Sequence, residues 1–218
     1  MRSGSPSSGS APAAVTPGLP EPVVAAIETH FRDRERRREE VGRRARNLRR
    51  LAQSTVGRLH SAGHAPRELE EVRRGLAELT EELRRGGPGD EPVALDAFQE
   101  AVEATLLGAI VEGRPLPGPG ELGVEPEPYL LGLGDVIGEL RRLALDSLAR
   151  EQLTGAEAYL LWMESLTEAL LKFDTTRAIV QLKPKQDTAR VLLERTRGEV
   201  VMARYLLRAR PPSSSSER

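Results

Sequence analysis

The stretch YLLGLGDVIGELRR, Tyr129 to Arg142, sets Leu133, Val136, Ile137 and Leu140 at spacings of three and four, the pattern of a helix with one buried face. It also carries two carboxylates, Asp135 and Glu139, one turn apart. Some thirty residues earlier FQEAVEA, Phe98 to Ala104, repeats the arrangement, with Phe98, Val102 and then Leu106 as the apolar positions and Glu100 and Glu103 as the acids. Residues three or four apart are neighbours on a helix surface, so each acidic pair projects from one face of its helix. Acids this close to a core are costly unless something pairs with them. A divalent cation is the usual partner of clustered acids, and acids with a metal point to phosphoryl chemistry.

Outward from these two segments the sequence reads as helices only, because strand alternation is absent and β-branched residues are sparse. A first helix begins at Glu21-Pro22, with proline in the first turn, and stops at Gly63, either continuous or broken near Glu39 to Gly42. Its apolar stripe is Ile27, Phe31, Val41, Ala45, Leu48, Ala52, Val56 and Leu59. Further helices are expected from Pro66 to Arg85, from Pro92 to Glu112, from Glu127 to Arg150, from a cap at Thr154 to Lys172, and from just after Leu182, with Pro184 in the first turn, to before Pro211. Short Gly/Pro loops between helices imply an all-α protein, an antiparallel bundle of six to seven helices. The loop from 113 to 126 is short enough to predict that the two acid-bearing helices are antiparallel neighbours. Residues 1–20 and 209–218 are Ser-, Pro- and Gly-rich and are expected to be disordered tails around a helical domain at 21–208.

Composition narrows the function classes. Aromatic residues make up only 3% of the 218 residues, which disfavours an aromatic platform for stacking bases. There is no cysteine, which excludes disulfides, thiolate catalysis and cysteine-based zinc sites. Neither a signal peptide nor an apolar stretch long enough to cross a membrane is visible, so a cytoplasmic protein is expected. Net charge is −1, yet charge is unevenly placed. All basic residues except Lys172, Lys183 and Lys185 are arginines, as Arg-rich codon usage produces.

The acidic set, Glu100, Glu103, Asp135 and Glu139, is a candidate oxygen site for Mg²⁺ or Mn²⁺. A di-iron carboxylate bundle would show Glu-x-x-His motifs. The histidines are His30, His60 and His64, none near these acids in sequence, which favours a hard cation over iron. His60 itself reads as a partly buried structural residue. On the first helix Arg32, Arg36, Arg43 and Arg50 share the face opposite the apolar stripe, with Arg46 at its edge, while Arg34 and Arg38 lie on the apolar side. Such a face is either solvated or tracks a phosphate backbone. Gly132, Gly134 and Gly138 follow no strand and form no dinucleotide motif, so they read as sites of close helix–helix approach.

At these residues the chain resembles the translin/Trax family, and within it the Trax-like branch of prokaryotes. FQEAVEA is similar to the FQEYVEA of Trax, and YLLGLGDVIGELRR to its YLLGVADLTGELMR. RNLRRLAQSTVGRLH, Arg46 to His60, resembles the first-helix pattern ending in LLH, and LKPKQDTARVLLERTRGEV from Leu182 resembles the final helix of prokaryotic translin-like proteins. The resemblance covers residues 21–208. Two departures stand out: the connection between the acidic helices is shorter than in eukaryotic Trax, and Gln53 replaces the lysine of the family's first-helix ESKR segment.

The resemblance implies a bundle of about seven helices assembled into a closed, roughly octameric homo-oligomer that handles single-stranded RNA, with single-stranded DNA as a further ligand, on a basic inner surface. It implies a metal-dependent endoribonuclease, because the catalytic acids of Trax fall on Glu100, Glu103 and Asp135, and Glu139 matches the next acid of the motif. Mg²⁺ or Mn²⁺ would be the cofactor. Arg43, Arg46 and Arg50 are the expected phosphate contacts. The alternatives are a non-catalytic, translin-like RNA- or DNA-binding shell and a purely structural helical assembly.

Overall fold

A computed structural model of the chain describes residues 18–86, 91–174 and 180–209. Among these residues there are seven helices: α1 Glu21–Ala62, α2 Pro66–Arg85, α3 Glu91–Val111, α4 Pro119–Leu122, α5 Pro126–Ala149, α6 Leu153–Leu171 and α7 Leu182–Ala209. The all-α expectation holds. Of the expected tails, residues 1–17 and 210–218 lie outside the described residues.

Contacts divide the chain into two units, 1–37 and 38–218. In the first, the described residues are the start of α1, and its apolar side chains stay exposed: Ile27 is 44% and Phe31 61% accessible. These two positions of the expected stripe are therefore not part of the core formed by the described residues. His30 and Phe31 meet edge to face with ring centroids 5.7 Å apart.

The second unit holds the core. From Val41 on, α1 buries Val41, Ala45, Leu48, Ala52 and Leu59. This stripe of alternating fours and threes meets the Leu69, Val72, Leu76 and Leu79 stripe of α2. α3 is buried almost all round between Ala101 and Ile110, so it is the central helix. α5 contributes Leu133, Val136, Ile137 and Leu140, and α7 contributes Leu182, Ala189, Leu193 and Val200. α1 ends where Gly63 takes φ +71°, a left-handed conformation open to glycine at no steric cost.

Chain neighbours run antiparallel. Arg58 pairs with Glu68 at 3.0 Å and Arg44 with Glu78 at 3.8 Å across α1 and α2. Arg204 pairs with Glu157 at 2.6 Å and Arg197 with Glu164 at 2.8 Å across α6 and α7. α3 and α5 differ from the expectation for them. Gln99 and Val102 pack on Gly132, and Glu103 lies beside Asp135 and Glu139, so both helices advance together and are parallel. The fourteen residues between Val111 and Pro126 make the return. Extended, they reach up to about 46 Å, more than the ~32 Å length of α3. α4 sits in this crossover. It is tied down where Thr80 Oγ1 donates to the Gly123 carbonyl at 3.2 Å and Tyr129 Oη to the Pro117 carbonyl at 3.1 Å. Four residues are too few for a periodic signal, so the sequence reads as plain loop there. A second difference is the start of α6. Thr154 is inside the first turn and the N-cap is Gln152, which makes no side-chain cap bond. The α5–α6 corner is closed by backbone instead, with Gln152 N–H donating to the Ser147 carbonyl at 2.8 Å.

The glycines of α5 divide by environment. A Cβ on Gly132 would lie 2.6 Å from the Gln99 carbonyl oxygen and 2.9 Å from Val102 Cγ1. On Gly134 it would lie 3.0 Å from Lys185 Cβ. On Gly138 the nearest atom would be Leu192 Cδ1 at 4.0 Å, so this position does not enforce close approach. Gly132→Ala is accordingly expected to cost about 1–3 kcal/mol in urea unfolding, because backbone cannot move aside. Gly138→Ala is expected to be neutral or to stabilise by about 0.5–1 kcal/mol, through the lower entropy of the unfolded chain. Equal losses in the two variants would remove close packing as the reason for Gly132.

Candidate acidic site

The acids of α3 and α5 meet where Gly132 brings these helices together. Glu103 lies half-buried on α3, and Asp135, Glu139 and Glu100 surround it electrostatically. Burial pushes its carboxyl up, to about 8, and repulsion from Asp135, Glu139 and Glu100 adds to the shift, while Lys185 opposes it. No side chain among the described residues hydrogen-bonds to Glu103.

The flanking acids each have protein partners. Asp135 accepts from Gln99 Nε2 at 2.6 Å and from the ammonium of Lys185. Glu100 accepts from Gln53 Nε2 at 3.0 Å, with Arg49 Nε at 3.5 Å. Glu139 pairs with Nε2 of His60, with Arg142 4.0 Å away. The hydrogen bond from His60 is the main influence holding Glu139 below the usual carboxylate range. A carboxylate can only accept, so Nε2 carries the hydrogen. The His60 side chain is 5% exposed, and its Nδ1 is buried with no hydrogen-bond partner among the described residues.

The ligand set for a metal is not assembled. Among the described residues no three His, Asp or Glu side chains lie together as a metal-binding group. Glu100, Asp135 and Glu139 are turned to side chains of α1, α3 and α7 instead. Glu100 and Asp135 are therefore near enough to Glu103 to act on it electrostatically, but the three form no ready coordination shell.

Sequence reasoning overlooked four of these partners. His60 is 79 residues from Glu139, so the separation of histidines from acids in sequence does not survive folding. Arg49, Gln53 and His60 recur at spacings of four and seven, one edge of α1, which was the available signal. Lys185 follows Pro184 in the first turn of α7 and carried no local signal at all.

The arginines expected to contact phosphate are on α1. Arg43 is 64% exposed and bonds to Glu40, through Nε at 3.0 Å and Nη2 at 2.5 Å. Arg50 donates to Asn47 Oδ1 at 2.6 Å, and Arg46 is exposed. Arg32 and Arg36 pair with Glu28 and Asp33 in the same local manner. Surface pairs of this kind contribute little and exchange readily with solvent or another anion.

The titration of Glu103 gives a stability test with a fixed sign. Between its ordinary value of 4.5 and about 8, the folded protein keeps a proton that the unfolded chain has lost. Stability must then fall as pH rises through that window and level off above it. Glu103→Gln removes this contribution, so the variant should gain on the parent as pH rises from 5 to 8, by a few kcal/mol at most. Urea unfolding at pH 5, 6.5 and 8 measures it, and a constant difference would show that Glu103 titrates normally.

No protein-family model matches the sequence. The chain is 32% identical over 170 residues to the uncharacterized protein MJ0175 of Methanocaldococcus jannaschii, covering 75% of each. In three dimensions it is similar to apo NeC3PO, with a TM-score of 0.77 at 23% identity over 85% of this chain and all of that one. It is also similar to AfC3PO, with a TM-score of 0.76 at 26% identity over 86% of this chain and all of that one. AfC3PO in complex with duplex RNA gives a TM-score of 0.72, with the same identity and coverage. C3PO is the complex of translin and Trax. The chain is thus related to the methanococcal protein and shares the translin-like helical fold of the C3PO chains.

Proposed function

We propose that this protein is an RNA-binding oligomer of the translin family that cleaves RNA with the help of a divalent cation at Glu100, Glu103, Asp135 and Glu139. The observation that carries this reading is Glu103, half-buried and pressed by three further carboxylates. Such a concentration of charge is costly to fold and finds its use when a cation binds. The likeness to AfC3PO, solved with duplex RNA, supports RNA as the ligand and assembly with further copies of the chain. The resemblance to Trax supports cleavage and a closed, octamer-like homo-oligomer.

Glu100, Asp135 and Glu139 would hold Mg²⁺ or Mn²⁺ through carboxylate oxygens, with Glu103 completing the set. When bound, such a cation supplies Lewis acidity toward water and phosphoryl oxygens. Glu103, which accepts no side-chain hydrogen bond among the described residues, would be the carboxylate left to orient the water that attacks phosphorus. Gln99 orients Asp135, and Gln53 orients Glu100. Arg43 and Arg50 would exchange their local partners for RNA phosphates, with exposed Arg46 beside them. Single-stranded RNA is the preferred substrate in this reading, and the cytoplasm the site of action. No helix among the described residues is long and apolar enough to cross a membrane.

The second reading is a binding shell without cleavage. It is favoured by one observation: Asp135, Glu139 and Glu100 are already satisfied by Lys185, His60, Gln53 and Arg49.

Incubation of the purified protein with labelled single-stranded and duplex RNA, with Mg²⁺, with Mn²⁺ and with chelator, separates the two. Cleavage of single strands that chelator stops and metal restores is expected. Glu103→Gln and Asp135→Asn should each abolish it while RNA binding and helical content persist, and full activity in either variant would refute the assignment. For binding, affinity should fall steeply as salt rises, because phosphate contacts release counterions. Replacing Arg43 and Arg50 together by alanine should flatten the log–log slope by up to about two units. An unchanged slope would return these arginines to a solvated face.

A further inference from the structure

Lys185 stands apart from the other lysines. Lys172 pairs with Glu168 at 3.2 Å and Lys183 with Asp187 at 2.6 Å, each on its own helix and each more than half exposed. Lys185 reaches from α7 across to α5 and sets its ammonium on Asp135, with the two side chains 29% and 26% exposed. Its stem lies against the helix at Gly134, where a Cβ would come within 3.0 Å of Lys185 Cβ and 3.3 Å of its Cγ and Cδ. The missing side chain at Gly134 is what lets α7 approach closely enough for this reach. An ammonium is a compact charge with three rotatable donors, and carboxylate oxygens suit it as they suit a small hard cation. Lys185 is also the positive group that offsets the raised proton affinity of Glu103, while Arg49 and Arg142 lie beside Glu100 and Glu139.

We propose that Lys185 is the built-in counter-cation of the acidic site, competing with the divalent cation for Asp135. The inference rests on the reading of these acids as a cation site. In the metal-free protein the ammonium neutralises Asp135 and keeps the start of α7 pinned to α5. A divalent cation has to displace it, exchanging one positive charge for two among four carboxylates. A monovalent ion gains nothing by the same exchange, so Lys185 sets the charge that an ion must carry to occupy the site. The absence of a ready three-ligand group follows, since Asp135 is turned to α7.

The test is Mn²⁺ binding to the full-length protein without RNA, followed by the electron paramagnetic resonance of free Mn²⁺, for the parent, Lys185→Met, Lys185→Gln and Lys185→Arg. Removing the competing charge should tighten Mn²⁺ binding roughly tenfold in the Met and Gln variants. The Arg variant, which keeps the charge, should stay near the parent. Adding Glu103→Gln to Lys185→Met should cancel the gain, which ties it to this site. Circular dichroism checks that each variant folds, and Gln, which still hydrogen-bonds to Asp135, carries the test if Met does not fold. Parent binding with no gain in the uncharged variants, or an equal gain in Lys185→Arg, overturns the role of Lys185 and leaves the cation site standing. No Mn²⁺ bound by any variant at millimolar concentration overturns the cation reading and this inference with it.

Discussion

The close approach of α3 and α5 at Gly132 is the constraint on which the rest of the site depends. With no Cβ there, the Gln99 carbonyl and the Val102 side chain can lie directly on the α5 backbone. One turn further along both helices, the same spacing brings Glu103 between Asp135 and Glu139. A bulkier residue at 132 would separate the helices, give Glu103 access to water and relax the repulsion that raises its proton affinity. Packing and chemistry are therefore one feature: a close backbone contact in the core sets a buried acid among three others.

That discomfort is shared out unevenly. Asp135, Glu139 and Glu100 each receive a donor from another part of the chain. Glu103 receives none among the described residues and takes up a proton instead. A fold selected for stability alone would place an apolar residue at 103, as at Val102 and Leu106 on the same helix. Keeping an acid there costs stability at neutral pH, and a site that stores such cost is a candidate for function.

Much of the fold was readable from the sequence, for reasons that are local. Pro22, Gly63, Pro66 and Pro184 punctuate the chain, so α1, α2 and α7 begin or end within a residue or two of expectation. The two acidic motifs were readable because each lies within one helical turn. What was not readable is tertiary. The direction of α3 relative to α5 depends on the crossover, where a four-residue helix gives no periodic signal. Ile27 and Phe31 continue an apolar spacing, yet both are exposed among the described residues. The pairs His60–Glu139 and Lys185–Asp135 join residues 79 and 50 positions apart, so spacing could place His60 on an edge of α1 but could not name either pair.

The parallel run of alternate helices explains how such distant residues reach one level. Arg49 and Gln53 of α1 meet Glu100 of α3, Glu103 of α3 meets Asp135 and Glu139 of α5, and Lys185 of α7 meets Asp135. α1, α3, α5 and α7 advance in the same direction, so turns at matching heights stay matched along several residues rather than crossing once. Gly138 beside Leu192, and Arg141 bonded to Thr196 and Glu199, continue the same alignment of α5 with α7. The antiparallel helices α2 and α6 and the crossover through α4 make the returns. The arrangement lets a donor on a flanking helix be tuned without moving the acids, because its helix is anchored over several turns. Gln53 bonds to Glu100 in this way without adding charge, and the positive charges in the set come from Arg49, Arg142 and Lys185. Placing one of them on α7, outside the α3–α5 contact, allows it to leave Asp135 without disturbing the glycine packing that holds the acids together.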